Sequence, residues 1–307
     1  MTVRLRTAPI ILILLLGALN SCATSGSPSA LADEYYNLGN EWFDLKKFDK
    51  AAVAYQRALR WNPELKIAVL NWARSKAELG DIAGALGLLR PVAASDPDNL
   101  VVGQYRAWLT GKLQGAAGAA DLYAALALKL PGDSATQYNA GVSLWAAKRP
   151  EEALTALTAW KALDGKTWAG LSLLAEAQEA AESPETAQTW LEAASTFPEN
   201  DSKRFTPLTR RAKVLEKAEL YGDAAEAWKA AVSLPAAIDQ PRGEAQFRLG
   251  SLLLLQLEDY QAGLEAVVAA WKVGYTNAEA WKALRGNPEL RFGPRFEADL
   301  KLAEVSP

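Results

Sequence analysis

The chain contains no histidine and only one cysteine among its 307 residues. Without histidine, Ser-His and Cys-His nucleophilic systems are excluded, as are most zinc sites and haem ligation. The single cysteine, Cys22, cannot form an intrachain disulfide. Paired carboxylates at Asp33-Glu34 and Glu151-Glu152 are predicted to lie at helix starts, where they complement the helix dipole. We therefore expect no enzyme, no metal and no cofactor.

A strong charge of either sign is also lacking, since 33 Lys and Arg residues face 36 Asp and Glu residues. Removing residues 1–21, which contain Arg4, Arg6 and no acidic residue, changes the formal net charge from −3 to −5. A nucleic-acid-binding protein needs a basic face. The mildly acidic body with dispersed lysines therefore predicts no nucleic-acid partner.

The N-terminal segment, residues 1–21, has the pattern of a secretory signal. Two arginines precede an apolar stretch from Ile10 to Leu19, which is too short to span a bilayer comfortably. The sequence Leu19-Asn20-Ser21-Cys22, followed by a polar run, resembles the lipobox of bacterial lipoproteins. The alternatives are an ordinary cleaved signal peptide and an uncut signal anchor.

The lipobox resemblance implies that Cys22 is acylated and becomes the first residue of the mature chain. It predicts a lipid-anchored protein of the bacterial cell envelope that faces the periplasm. Ala23 after the cysteine favours the outer membrane over the inner one. Residues 22–31 are then a flexible linker.

A 34-residue period runs through the first two thirds of the chain. It relates three prolines and five alanines: Pro63, Pro97 and Pro131, and Ala51, Ala85, Ala119, Ala153 and Ala187. Within one period, apolar residues fall at helical spacing on two successive segments. Small residues such as Gly39 and Ala51 allow two antiparallel helices to pack closely. The proline ends the second helix and can open the next.

The first unit, residues 32–65, resembles a tetratricopeptide repeat (TPR). Nine positions of that family's pattern are matched, by Tyr35, Leu38, Gly39, Trp42, Phe48, Ala51, Tyr55, Ala58 and Pro63. Four further units follow in phase to about residue 201. A less regular sixth unit follows, with Arg211 where a core leucine is usual, and a seventh unit extends to residue 276 with a strong signal at Leu249-Gly250, Tyr260, Gly263 and Ala270.

The resemblance implies an all-α fold, a right-handed superhelical α-solenoid of about seven helix-turn-helix units. The array is predicted to span residues 32–276, and residues 277–307 are predicted to cap it with two short helices. Those helices are expected to open at Asn277 and at Asn287-Pro288, with Phe292, Phe296 and Leu300 covering the last repeat.

In the TPR family, ligands usually contact fixed positions on the first helix of each unit. The resemblance therefore implies a groove lined by Tyr36, Asn40, Phe43, Trp108, Tyr138, Trp145 and Phe247. Rigid aromatic side chains in a groove suit an extended peptide, a helix or an apolar ligand. The alternative is that some of these rings only pack against the next repeat.

One TPR sub-family, which clamps a terminal carboxylate, can be tested against the sequence. Asn40 and Asn71 match two of its positions, but Tyr36, Val101 and Tyr105 stand where basic residues are needed. A carboxylate clamp is not expected. The sequence favours an envelope adaptor that binds another protein or peptide of unknown identity, with a carrier for an apolar small molecule or peptide as the alternative.

Overall fold

The computed structural model describes residues 27–235, 241–291 and 293–305. These residues form sixteen α-helices and no β-strand, which confirms the predicted all-α class. Cys22 and the signal segment lie outside the described residues. None of the described helices combines the length and apolar character needed to cross a membrane.

The helices form two compact units, with unit 1 ending at Gly115 and unit 2 beginning at Ala116. Unit 1 contains α1 (Pro28–Asp44), α2 (Phe48–Trp61), α3 (Lys66–Glu78), α4 (Ile82–Ser95) and α5 (Leu100–Gln114). The first helix begins at Pro28, with the Ser27 side chain accepting a hydrogen bond from the Ala30 N–H. Helical structure therefore starts before the predicted first repeat at Ala32.

Unit 2 opens with a 3-10 turn, Ala116–Ala119, and contains eleven of the described helices. They are α6 (Ala120–Lys129), α7 (Ser134–Ala146), α8 (Pro150–Ala162), α9 (Trp168–Ala180), α10 (Thr186–Ser195), α11 (Phe205–Lys217), α12 (Tyr221–Val232), α13 (Arg242–Leu255), α14 (Tyr260–Lys272), α15 (Ala278–Arg285) and α16 (Gly293–Leu302). A second 3-10 turn, Ser202–Arg204, precedes α11.

Close packing within each hairpin depends on small residues, as the sequence predicts. A methyl group added at Gly39 of α1 would lie 2.5 Å from Tyr55 Cε1 of α2. Gly141 approaches Leu157 in the same way, and Gly250 approaches Val267. Four of the five alanines in the 34-residue series are fully buried: Ala51, Ala85, Ala119 and Ala153.

Most hairpin turns place one residue in the left-handed backbone region, and these residues follow the 34-residue period in the first part of the chain. The residues are Lys46, Gly80, Lys148, Glu182, Glu219 and Glu258. The first four of them are spaced by one or two periods of the repeat. Only one of the six is glycine, so the others accept a backbone conformation that costs an L-residue about 1 to 2 kcal/mol. Turn composition alone therefore does not reveal this repeated feature.

Three details differ from the sequence predictions. The repeated prolines end helices but do not open the next ones, because α3 begins at Lys66, beyond Pro63. Glu151 and Glu152 lie in the first turn of α8, whereas Asp33 and Glu34 lie more than a turn inside α1.

The C-terminal cap is the third difference. Asn277 caps α15 as predicted, by accepting a hydrogen bond from the Ala280 N–H at 3.1 Å. Asn287 instead accepts from the Glu289 N–H within a turn, and the last helix begins only at Gly293. Phe296 and Leu300 are buried in the terminal core with Trp281, whereas the Phe292 side chain lies outside the described residues.

We expect Gly39→Ala to lower the free energy of unfolding by about 1 to 3 kcal/mol, because the Tyr55 ring must move to admit the methyl group. Gly87→Ala is the matched control, since a methyl group on this residue of α4 would meet nothing within 4 Å. That change should be neutral or stabilising by up to about 1 kcal/mol. Urea denaturation followed by circular dichroism compares the two, and equal effects would contradict the packing role.

Candidate functional site

The first helices of unit 1 share a connected polar network. Asn40 Oδ1 of α1 accepts hydrogen bonds from the Tyr55 hydroxyl at 2.8 Å and from Asn71 Nδ2 of α3 at 3.2 Å. The same Asn71 amide donates to the Tyr36 hydroxyl at 3.3 Å. Arg74 donates from Nη1 to Asn71 Oδ1 at 3.2 Å. The network ties α1, α2 and α3 together and fixes the orientation of both asparagine side chains.

Tyr55 is the buried end of this network, with 1% of its surface exposed. Burial, reinforced by the neighbouring Tyr36, raises the pKa of the Tyr55 phenol to about 12. The hydroxyl therefore stays protonated at physiological pH. It remains a hydrogen-bond donor to Asn40 throughout that range.

An aromatic pair on α5 continues the same surface. The rings of Tyr105 and Trp108 stack with centroids 5.5 Å apart and planes 14° apart. The Arg74 guanidinium lies 5.7 Å from the Tyr105 centroid, and Lys112 Nζ lies 5.5 Å from the Trp108 centroid. Trp108 keeps 40% of its surface exposed. Two cations thus flank an aromatic surface that solvent can reach.

We call this surface the first-helix face of unit 1. Its residues are Tyr36, Asn40, Phe43, Asn71, Arg74, Tyr105, Trp108 and Lys112. A pocket of about 330 Å³ opens on it, lined by Asn40, Phe43 and Arg74 together with Asp44, Tyr55 and Asn71. Within the described ranges Arg74 makes no ion pair. Its guanidinium is therefore available to an acidic or carbonyl group of a ligand.

The sequence-predicted residues of unit 2 are more involved in packing. Tyr138 and Trp145 of α7 are partly buried against a core cluster that contains Trp160. The rings of Tyr138 and Trp160 lie 5.5 Å apart. Phe247 of α13 is only 6% exposed, and its ring lies 5.0 Å from that of Tyr275. Phe247 therefore follows the alternative prediction, in which the ring packs inside the protein and is not free for a ligand, although the residue also lines a cleft.

Two similar ion-pair arrangements join the first helices of three consecutive hairpins in unit 2, which are α9, α11 and α13. Glu179 accepts from Trp190 Nε1 at 2.6 Å and from Arg210 Nη1 at 3.4 Å. In the next repeat, Glu216 accepts from Trp228 Nε1 and from Arg248 Nη1. Each glutamate therefore joins the tryptophan of its own hairpin to the arginine of the following one.

Further ion pairs connect the same repeats: Lys217 with Glu182, which lies in the turn after α9, at 2.7 Å, and Lys213 with Glu244 at 3.5 Å. The charged groups on this part of unit 2 are therefore largely neutralised by one another. No group of three or more potential metal ligands occurs in the part of the chain that the structure describes.

The family model for the tetratricopeptide repeat matches residues 32–65, the α1–α2 hairpin and its following turn. The same hairpin geometry, with a small residue at the crossing, recurs in both units. Residues 32–65 are therefore a tetratricopeptide repeat.

Comparison with curated proteins gives no significant match. Among solved structures, this chain is similar to MamA from Desulfovibrio magneticus RS-1, residues 41 to the end. The identity is 15%, the TM-score is 0.48, and the match covers 53% of this chain and 93% of that one. A crystal structure of MamA protein is similar at 14% identity and a TM-score of 0.49, covering 54% of this chain and 91% of that one. Similarity at this level carries no information about ligands.

Of the residues that the sequence predicts for the groove, the structure brings Tyr36, Asn40, Phe43 and Trp108 onto one face of unit 1. Sequence reasoning noted Asn71 and Tyr105 only as clamp positions, and it missed Arg74 altogether. The i, i+3 spacing of Asn71 and Arg74 on a predicted first helix was the available signal. The glutamate–tryptophan–arginine arrangement of unit 2 had no local signal, because its members lie far apart in the sequence.

We expect Tyr55→Phe to lower stability near neutral pH by about 0.5 to 1.5 kcal/mol, because Asn40 loses its hydroxyl donor. The folded pKa of about 12 exceeds the ordinary value of 10.0, so only the folded chain keeps this proton between those values. The phenol's contribution is fully present below pH 10 and is lost as the pH rises to 12. The stability difference between wild type and variant should therefore shrink over that window, as urea denaturation at several pH values would reveal. A difference that stays constant would contradict the assignment.

Proposed function

We propose that this TPR protein is a non-catalytic scaffold that binds a segment of another protein through the first-helix face of unit 1. The observation that carries the proposal is the Arg74 guanidinium, without an ion pair among the described residues, on the same hydrogen-bonded surface as the exposed ring of Trp108. Arginine and tryptophan are the residue types most often found at the energetic centre of protein interfaces.

The chemistry of the face suits an extended segment that carries both polar and apolar groups. The amides of Asn40 and Asn71 provide donors and acceptors of the kind that a peptide backbone needs. The rings of Phe43 and Trp108 provide apolar contact area with little loss of rotamer freedom on binding. Arg74, between them, suits an acidic side chain or a carbonyl of the partner.

Pre-organisation supports the same conclusion. The asparagine side chains are held by Tyr36, Tyr55 and Arg74, so little entropy is lost in ordering them when a ligand binds. The charged first helices of unit 2 lack this availability, since their glutamates and cations are engaged with one another. Unit 1 is therefore the better candidate for partner binding.

We further propose that acylated Cys22 anchors the protein to a bacterial membrane, facing the periplasm, with the outer membrane favoured over the inner one. The support is the lipobox-like sequence at Leu19 to Cys22 after a basic head and an apolar core. Several acyl chains on one residue provide stable attachment, since each buried CH₂ contributes about 0.8 kcal/mol. The binding face would then operate close to a membrane surface.

The alternative function, a carrier for an apolar small molecule, is less well supported. A cleft of about 680 Å³ in unit 2 has the volume of a ligand pocket. However, Glu216, Glu244 and Arg248 form part of its wall, and they are joined by ion pairs. An apolar solute would gain little beside these charged groups.

The anchor predicts that Cys22→Ser abolishes incorporation of a labelled fatty acid and releases the protein from the membrane fraction, because the acyl acceptor is gone. Metabolic labelling of the producing cells, followed by fractionation, measures both effects. A second variant, Cys22→Ser with Ser25→Cys, restores a thiol outside the lipobox and should stay unlabelled. Incorporation of the labelled fatty acid into either variant would contradict Cys22 as the attachment site.

The binding face predicts that a photo-crosslinking amino acid placed at Trp108 captures a defined protein in the native cell envelope. The same amino acid at Trp61, an exposed ring on α2 that is not part of the face, is the matched control. Adding Arg74→Gln should reduce the Trp108 adduct at least several-fold. Equal adducts at both positions, or no effect of Arg74→Gln, would contradict binding at this face.

A further inference from the structure

The outer side of the first hairpin presents a second surface, distinct from the first-helix face. A groove of about 290 Å³ runs between α1 and α2, and all its lining residues come from these two helices. Leu38 on α1 and Val53 on α2 are 37% and 49% exposed in it. Tyr35 and Trp42 are partly exposed beside them. We call this surface the outer face of the first hairpin.

The charges on the outer face are largely separated by helix. On α1, Glu34, Leu38 and Glu41 follow one another at i, i+4 and i+7, which makes one acidic stripe with an apolar centre. On α2, the residues at i, i+3, i+7 and i+10 make a basic stripe, also with an apolar centre: Lys50, Val53, Arg57 and Arg60. Asp49 of α2 also lines the groove, so this side carries three positive charges and one negative charge. Among the described residues, none of these charged groups makes an ion pair.

The relative register of the two stripes follows from contacts across the groove. Lys50 Nζ lies 4.7 Å from the Trp42 ring centroid, and the Arg57 guanidinium lies 5.7 Å from the Tyr35 centroid. Glu41 and Glu34 directly precede Trp42 and Tyr35 on α1. Glu41 is therefore level with Lys50 along the hairpin, Glu34 is level with Arg57, and the two apolar residues lie between these levels.

We propose that the outer face of the first hairpin binds the same face of a second copy of this chain. A two-fold axis parallel to the helices, running between α1 and α2, places α1 of one copy over α2 of the other and preserves the levels. Glu41 then meets the partner's Lys50, Glu34 meets the partner's Arg57, and Leu38 meets the partner's Val53. Every pair occurs twice, and both grooves are covered.

Other occupants fit the charges less well. A two-fold axis perpendicular to the helices would place α1 on α1, with Glu34 facing the partner's Glu41 and Lys50 facing the partner's Arg57. An anionic lipid surface would attract the basic stripe but repel the acidic one. The face is about 20 Å long and about 20 Å wide for helices of this length. That size is at the low end for specific interfaces, so the dimer is expected to be transient.

The test uses charge reversal in the full chain, in mild detergent, with sedimentation equilibrium over roughly 1 to 200 µM protein. Wild type should approach twice the monomer mass as concentration rises. Glu34→Lys with Glu41→Lys makes both stripes basic, and Lys50→Glu with Arg57→Glu makes both acidic. Each double variant alone should remain monomeric, whereas an equimolar mixture should form a heterodimer at least as readily as wild type.

Leu38→Asp gives a second reading that leaves every native charge in place and should also abolish dimerisation. Circular dichroism checks that the variants fold, as their exposed positions predict. A wild type that stays monomeric throughout, or a mixture that fails to associate, overturns the proposal. A monomeric wild type that binds phosphatidylglycerol vesicles would also overturn the proposal, if the basic double variant binds the vesicles more strongly and the acidic double variant does not bind them.

Discussion

The close approach of two helices within each hairpin is the contact on which the rest of the structure depends. At Gly39, Gly141 and Gly250 the opposing side chain occupies the space that a methyl group would need. This approach sets the distance between first and second helices, and with it the positions of all side chains on both. Buried alanines do the same at the other crossings. Because the contact is local, it can be repeated without long-range pairing, which is how a chain of this length avoids needing one large core.

Adjacent residues of α1 serve different surfaces, because successive side chains on a helix point about 100° apart. Tyr36 and Asn40 point toward α3 and join the hydrogen-bond network, whereas Tyr35, Leu38 and Trp42 line the outer groove. One helix therefore contributes to a proposed partner site and to a proposed interface between copies. The two surfaces share no side chain.

The two units treat charge on their first helices differently. In unit 2, the Glu179 and Glu216 arrangements tie consecutive repeats together in the part of the array where the period lengthens. These ion pairs are partly exposed, so each adds little stability by itself, but they occupy groups that could otherwise contact a ligand. In unit 1, the Arg74 guanidinium donates to an asparagine and lies near a tyrosine ring, with no ion pair in the described ranges. Availability of charge, and not the number of aromatic rings, distinguishes the candidate site.

The sequence by itself determined the repeating unit. Its fixed period, small residues at the helix crossings and prolines after second helices are local signals, and a helical hairpin is a local structure. Those signals also placed Tyr36, Asn40, Phe43 and Trp108 on first helices. Helix starts were less predictable, as Pro28 and Gly293 show, because a helix can begin wherever a turn supplies its first partners.

Only the tertiary structure decided which of these side chains remain available to a ligand. Phe247 and Trp108 both lie on first helices. The Phe247 ring is covered by Tyr275 and Trp281. The Trp108 ring stacks on Tyr105 and stays partly exposed. Likewise Arg210 and Arg248 are engaged in ion pairs, whereas Arg74 has none among the described residues. The physical reason is that the exposure of a side chain depends on the side chains of the neighbouring repeat. In a degenerate repeat, the 34-residue period does not determine which side chains those are.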